Sequence, residues 1–139
     1  MSRLIIVSNR LPVSVIRQAE SLSFVSSVGG VATGIASLDK PGQRLWIGWP
    51  GVPSDKLTAV HKQEICDGLK PHGCVPVFLS NAEVRDYYLG FSNRTIWPLF
   101  HYFPQHIVFD ESYWRAYKKV NEHFCREIVA QMQPDDKVW

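Results

Sequence analysis

Short, unbroken apolar runs alternate along this chain with longer stretches in which apolar residues recur at helical spacing. Leu4-Ile5-Ile6-Val7 is continuous, β-branched and followed at once by Ser8-Asn9-Arg10. That pattern predicts a strand covered on both faces of a parallel sheet, with polar groups at its C-terminal tip. Val13 to Arg17 and Leu22 to Val25 flank the polar Gln18 to Ser21 and predict a β-hairpin. Ser26-Ser27-Val28-Gly29-Gly30 then leads into Val31 to Ala36, a glycine-rich turn opening a short helix. Leu45 to Trp49 predicts a further strand, ended by Pro50-Gly51, and Val75 to Leu79 another.

Between those strands the spacing predicts a helix from about Asp55 to Leu69, with Ser54 as N-cap and Leu57, Val60, Ile65 and Leu69 facing inward. Ser80-Asn81-Ala82-Glu83 has capping-box spacing, so a short helix is expected to about Leu89, with Gly90 as its stop. Phe91 to Phe109 is expected to be irregular, broken by Pro98 and Pro104. Tyr113, Tyr117, Val120, Phe124 and Ile128 repeat at helical spacing, which predicts a last helix over Ser112 to Gln133, closed by Pro134. Lys137-Val138-Trp139 reads as the start of another strand. Strands alternating with helices indicate an α/β fold with a largely parallel, Rossmann-like sheet and flanking helices.

Composition narrows the classes. The 139 residues suit one domain, and 45% hydrophobic with 20% charged residues is a globular balance. Fifteen Lys and Arg against 13 Asp and Glu leave a net charge of +2, too small to point to nucleic acid or a membrane surface. Cys66, Cys74 and Cys125 are odd in number and lack C-x-x-C spacing, which argues against a disulfide framework or a cysteine zinc site. No signal-peptide core is seen, and no run reaches membrane-spanning length, so a cytoplasmic location is expected. Asn93-Arg94-Thr95 matches a glycosylation sequon that such a location would leave unused.

Ligands in a doubly wound sheet sit outside the carboxyl ends of the strands, which puts Arg10 in position to meet an anion. Its guanidinium suits a phosphate, because two N–H groups reach two oxygens; a surface ion pair is the alternative. Gly29-Gly30 before a helix allows a close backbone approach to a phosphate or diphosphate, or is a simple turn. Trp46, Trp49, Trp97 and Trp114 gather with Tyr87, Tyr88 and Tyr102 near loops and strand ends. Trp46 and Trp114 suit core packing, whereas Trp49 and Trp97, each followed by proline, fit packing and sugar stacking equally. The histidines show no i,i+4 pair or H-E-x-x-H context, so no metal is expected.

Five blocks resemble glycosyltransferase family 20: Val7-Ser8-Asn9-Arg10-Leu11-Pro12-Val13, Gly29-Gly30-Val31-Ala32-Thr33-Gly34, Trp46-Ile47-Gly48-Trp49-Pro50-Gly51, Tyr87-Tyr88-Leu89-Gly90-Phe91-Ser92-Asn93 and Ile96-Trp97-Pro98-Leu99-Phe100-His101-Tyr102. The resemblance covers essentially the whole chain. It implies the metal-independent transfer of glucose from UDP-glucose to glucose 6-phosphate, with retention, giving α,α-trehalose 6-phosphate. It also implies two Rossmann-like domains (a GT-B arrangement) with the site in the cleft between them.

By position in these blocks, the resemblance implies that Arg10 holds the acceptor phosphate with help from Tyr88. Trp49 and Trp97 wall the acceptor sugar, and Gly29 and Gly30 line the donor diphosphate. Residues 1–139 are then the N-terminal part of the acceptor-binding domain. The His-Asp-Tyr segment and the Arg and Lys that the family uses further on are not in this sequence. The nucleotide-sugar domain is therefore expected to be absent, the fragment inactive alone, and no catalytic residue to lie within it. The expected partners are small molecules, with no cofactor; self-association of the full-length enzyme stays open. Two alternatives remain: a glucosylglycerol-phosphate synthase of the same family, and a non-catalytic module that binds sugar phosphate.

Overall fold

The computed structural model describes residues 3–19, 21–27, 30, 33–34 and 44–139. In chain order the elements are β1 (Leu4–Arg10), β2 (Val13–Gln18), β3 (Ser21–Ser26), β4 (Arg44–Trp49), α1 (Ala59–Leu69) and β5 (Cys74–Pro76). A continuous helical stretch follows: α2 (Asn81–Glu83), a π-helical segment (Val84–Ile96) and α3 (Trp97–Phe100). The chain ends with α4 (Glu111–Gln131) and β6 (Lys137–Val138). Four strands form one sheet in the order β5-β4-β1-β6, all pairs parallel, and β2 with β3 forms a separate antiparallel hairpin. This is the α/β fold that the alternation of runs implies.

Successive strand residues point to opposite faces, and both faces of the sheet are covered. Ile6 and Trp46 face one layer with Leu11, Val15, Ile65 and Leu69, contributed by the hairpin and α1. Ile5 and Ile47 face the other, against Val77, Leu79, Val120 and Phe124. Ile5, Ile6 and Ile47 are at most 1% exposed. Burying each contributes about 1.5–3 kcal/mol, which is why a run of only four apolar residues fixes the middle of the sheet. At the chain's two ends, Arg3 binds Asp136 through Nε at 3.2 Å and Nη2 at 2.6 Å, clamping β6 beside β1.

Several local expectations change. Ser54 caps nothing; it opens a single 3₁₀ turn, and α1 begins at Ala59. Thr58 is the N-cap, its hydroxyl accepting from the His61 N–H while the His61 ring accepts from the Thr58 N–H. The helix therefore starts later than its apolar spacing suggests, and Val60, in its first turn, is 66% exposed rather than inward. β5 stops at Pro76, though Val77 and Leu79 beyond it are still buried.

Gly90 does not end a helix. The Ser80–Glu83 capping box forms as expected, with the Glu83 N–H donating to Ser80 Oγ and the Ser80 N–H to Glu83 Oε2. The helix then runs on through Gly90 to Phe100. Gly90 is there for space: a Cβ would lie 2.7 Å from the Tyr113 ring. The expected irregular region shrinks accordingly. Pro98 lies inside this continuous stretch, and the Arg94 carbonyl four residues before it accepts instead from the Val108 N–H at 2.9 Å. α4 starts at Glu111, with Asp110 as its N-cap accepting from the Ser112 N–H at 2.8 Å, and ends at Gln131. The glycine-rich turn and short helix expected over 26–36 fall largely outside the described residues. Cys66, Cys74 and Cys125 are all free thiols, and burial pushes the Cys74 thiol up to about 11. Among the described residues no helix is long and apolar enough to cross a membrane.

Candidate functional site

The tip of β1 departs from regular pairing. The register against β4 shifts between Val7 and Arg10, and Arg10 pairs with Trp49 after the irregularity. Side chains hold the bulge: Ser8 Oγ donates to the Arg10 carbonyl at 2.7 Å and accepts from Trp46 Nε1 at 2.7 Å. Gly48 makes room for it, since a Cβ there would lie 2.8 Å from the Ser8 carbonyl oxygen and 3.1 Å from Leu11 N. A bulge at a strand end re-aims the next side chain, and here that side chain is Arg10.

The Arg10 guanidinium is held on three sides. Its Cζ lies 5.5 Å from the centroid of the Trp49 ring, a cation–π distance. Its Nη2 lies 3.4 Å from Ser14 Oγ. On the third side is Gly51, whose φ of +90° suits glycine and whose Cβ, if present, would lie 2.9 Å from Nη2. Trp49 keeps its orientation by donating Nε1–H to the Val52 carbonyl at 3.2 Å. No carboxylate pairs with Arg10 among the described residues. The ion-pair alternative is thus not what this structure adopts. An exposed, oriented guanidinium that no carboxylate pairs among the described residues is suited to a phosphate or carboxylate ligand.

Arg10 opens onto a cavity of about 740 Å³ between the hairpin and the 51–56 loop. Ser14, Arg17, Ser26, Ser27 and Lys56 also line it. Arg17 Nη1 donates to the Lys56 carbonyl, tying the hairpin to the loop. Ser14, Arg17, Gly51 and Lys56 carry no motif that marks them in the sequence as neighbours of Arg10. Pro50-Gly51 after a strand was the available signal for Gly51; Arg17 and Lys56 join the site only through the hairpin's return to the loop.

The other expected residues are placed apart from this cavity. Tyr88, 39% exposed, lies on the π-helical segment. Trp97 is 52% exposed at the start of α3 and stacks on His101 with centroids 4.0 Å apart. Neither lines the Arg10 cavity. Trp46 is core, as expected; Trp114 is 45% exposed but packs against Phe91 and Tyr117. Gly30 is exposed, with nothing within 4 Å of an added Cβ, and Gly29 lies outside the described residues. No group of three or more metal-ligating side chains is found among the described residues.

A family model, glycosyltransferase family 20, matches residues 2–139. The chain belongs to glycosyltransferase family 20. Among family 20 relatives, the UDP-forming α,α-trehalose-phosphate synthase 1 of Aspergillus fumigatus is 40% identical over 141 residues, covering 99% of this chain and 27% of the relative. The chain therefore spans about a quarter of that protein's length. Of solved structures, the UDP-forming synthase of Burkholderia vietnamiensis superposes with a TM-score of 0.71 at 29% identity, over 100% of this chain and 28% of that one. The Burkholderia xenovorans synthase in complex with glucose-6-phosphate superposes at 0.69 and 26% identity, over 99% and 27%.

Proposed function

We propose that this family 20 chain is the N-terminal part of the acceptor-binding domain of an enzyme that transfers glucose from UDP-glucose to glucose 6-phosphate, giving α,α-trehalose 6-phosphate with retention. One observation carries the reading: the Arg10 guanidinium at the tip of β1, oriented by Trp49, Ser14 and Gly51 and paired with no carboxylate among the described residues. The printed names of the relatives, UDP-forming synthases and one complex with glucose-6-phosphate, support the donor and the acceptor.

In this reading Arg10 binds the acceptor phosphate, and Tyr88 adds a hydroxyl when the cleft is assembled. Trp49 and Trp97 flank the acceptor sugar, and Gly29 and Gly30 offer backbone N–H groups to the donor diphosphate. The nucleotide is held by a second Rossmann-like domain outside this sequence, in a GT-B arrangement. Transfer then depends on holding two sugars in register in a closed cleft, work that positioning and exclusion of water perform without a metal or cofactor. The residues here bind and orient, and the chain by itself is inactive. The reaction belongs in the cytoplasm, where nucleotide sugars and hexose phosphates coexist.

The test is Arg10→Ala in the complete enzyme. Losing a charge-assisted contact of about 1.5–3 kcal/mol lowers kcat/KM for glucose 6-phosphate roughly ten- to hundredfold and leaves the UDP-glucose KM near its original value. Unchanged acceptor kinetics would remove Arg10 from the site. A complete enzyme that used glycerol 3-phosphate instead would replace the acceptor.

A further inference from the structure

The cavity at Arg10 carries more positive charge than one acceptor phosphate uses. Arg10, Arg17 and Lys56 all line it, and no carboxylate does among the described residues. The nearest acid in sequence to Lys56, Asp55, is committed elsewhere, accepting from the Asn81 N–H on the far side of the loop. Arg17 and Lys56 are held together, because Arg17 Nη1 donates to the Lys56 carbonyl. A phosphate monoester brings about two negative charges at neutral pH, and one guanidinium fork with a second donor satisfies it. Three cations around one cavity leave charge for a second anionic group. Val15, Val25 and Val52 line the same cavity together with Ser14, Ser26 and Ser27, a mixed lining suited to a small polar body such as a sugar ring.

We infer that Arg17 and Lys56 form a second anion subsite, so that the cavity takes a compact bisphosphorylated sugar with one phosphate on Arg10 and the other on the Arg17–Lys56 pair. Neither Tyr88 nor Trp97 lines this cavity, so the occupant shares Arg10 with the acceptor but not the aromatic side of the site. It therefore competes with the acceptor and is not a substrate. The inference rests on the proposed role of Arg10 as a phosphate ligand.

Titration calorimetry on the 139-residue chain at fixed ionic strength tests it, with glucose 6-phosphate, glucose 1,6-bisphosphate and UDP as probes. The bisphosphate is expected to bind about tenfold tighter than the monophosphate, the effect of one further charge-assisted contact. Lys56→Gln and Arg17→Gln should each remove that advantage while leaving glucose 6-phosphate affinity in place. Lys56→Gln is the cleaner variant, because the bond from Arg17 ends on the backbone carbonyl and survives. Equal affinities for the two sugar phosphates, or an advantage that outlives both substitutions, would overturn the subsite. So would UDP binding with the same dependence on Arg17 and Lys56, which would give the pair to a nucleotide diphosphate, and so would failure of both sugar phosphates to bind. Bisphosphate binding that needs Arg17 and Lys56 while glucose 6-phosphate fails to bind supports the subsite and removes the acceptor reading alone.

Discussion

The β1–β4 tip and the 81–100 helical stretch each present candidate ligand groups, and each contains a glycine where a side chain does not fit. The materials around those glycines differ. At Gly48 the colliding atoms would be the backbone of Ser8, Arg10 and Leu11; at Gly90 they would be carbons of the Tyr113 ring. Backbone locked in a parallel sheet between two buried layers has nowhere to go, whereas a ring on a neighbouring helix can turn. The β1–β4 tip is therefore fixed by main chain, and the helical stretch around Gly90 by side-chain packing against α4. Under the proposed function, Arg10 then presents a preformed anion site while the aromatic wall adjusts.

Gly48→Val probes the fixed half most severely. We expect a loss of about 3 kcal/mol or more, because the bulge must move to admit the side chain, and chemical denaturation measures it directly. A loss below that of Gly90→Ala would reverse the comparison. Gly90→Ala is expected to cost about 1–2 kcal/mol: crowding of Tyr113 is partly offset by the better helix propensity of alanine. Displacement of the ring should appear as changed near-ultraviolet dichroism, since Tyr113 also accepts from Arg94 Nη1 at 3.3 Å.

Ser80→Ala removes one arm of the capping box that starts the helical stretch, and about 1 kcal/mol is expected in the same assay. Burial pushes the Glu83 carboxyl up, but the Ser80 N–H and Lys119 outweigh it and leave its pKa below the ordinary value. The charge that faces Lys119 at 3.1 Å is thus retained at neutral pH.

The gentlest perturbation is acid. The hydrogen bond from Arg3, outweighing desolvation, holds the Asp136 carboxyl down to about 2, from an ordinary 3.8. A depressed carboxylate stabilises the fold above its unfolded pKa, and that contribution is lost as pH falls from about 4 through about 2. Thermal midpoints of the unsubstituted chain and of Arg3→Met should differ at pH 6 and converge near pH 2. A difference that is constant with pH would mean the clamp does not act through the charge of Asp136.

β1 and β4 were legible because burial on both faces leaves the unbroken apolar runs Leu4–Val7 and Leu45–Trp49, and the hairpin because two runs flank the polar Gln18–Ser21. Helix starts were less so. Ser54 and Thr58 are both plausible caps by residue type, and the pair of bonds with His61 distinguishes them: Thr58 Oγ1 accepts from the His61 N–H and His61 Nδ1 from the Thr58 N–H. Gly90 illustrates the deeper limit: glycine ends helices by its conformational freedom and continues them where a neighbour needs the room, and the neighbour here is 23 positions away. The exposed position of Arg10 at the tip of β1 was legible from the end of the apolar run. That Arg17 and Lys56 line the same cavity was not, since each alone reads as a solvated surface charge.

β1 is interior in the sheet, bordered by β4 on one side and by β6 on the other. It leaves the ribosome well before β6, the partner on its other side, with Leu4 aligned to Lys137. During synthesis the β1 edge that β6 covers waits for more than a hundred residues to be added, and pairing at such separations is slow. An apolar strand exposed for that interval is a natural client for a chaperone that holds nascent chains. Slower synthesis would lengthen the interval in which that edge is open.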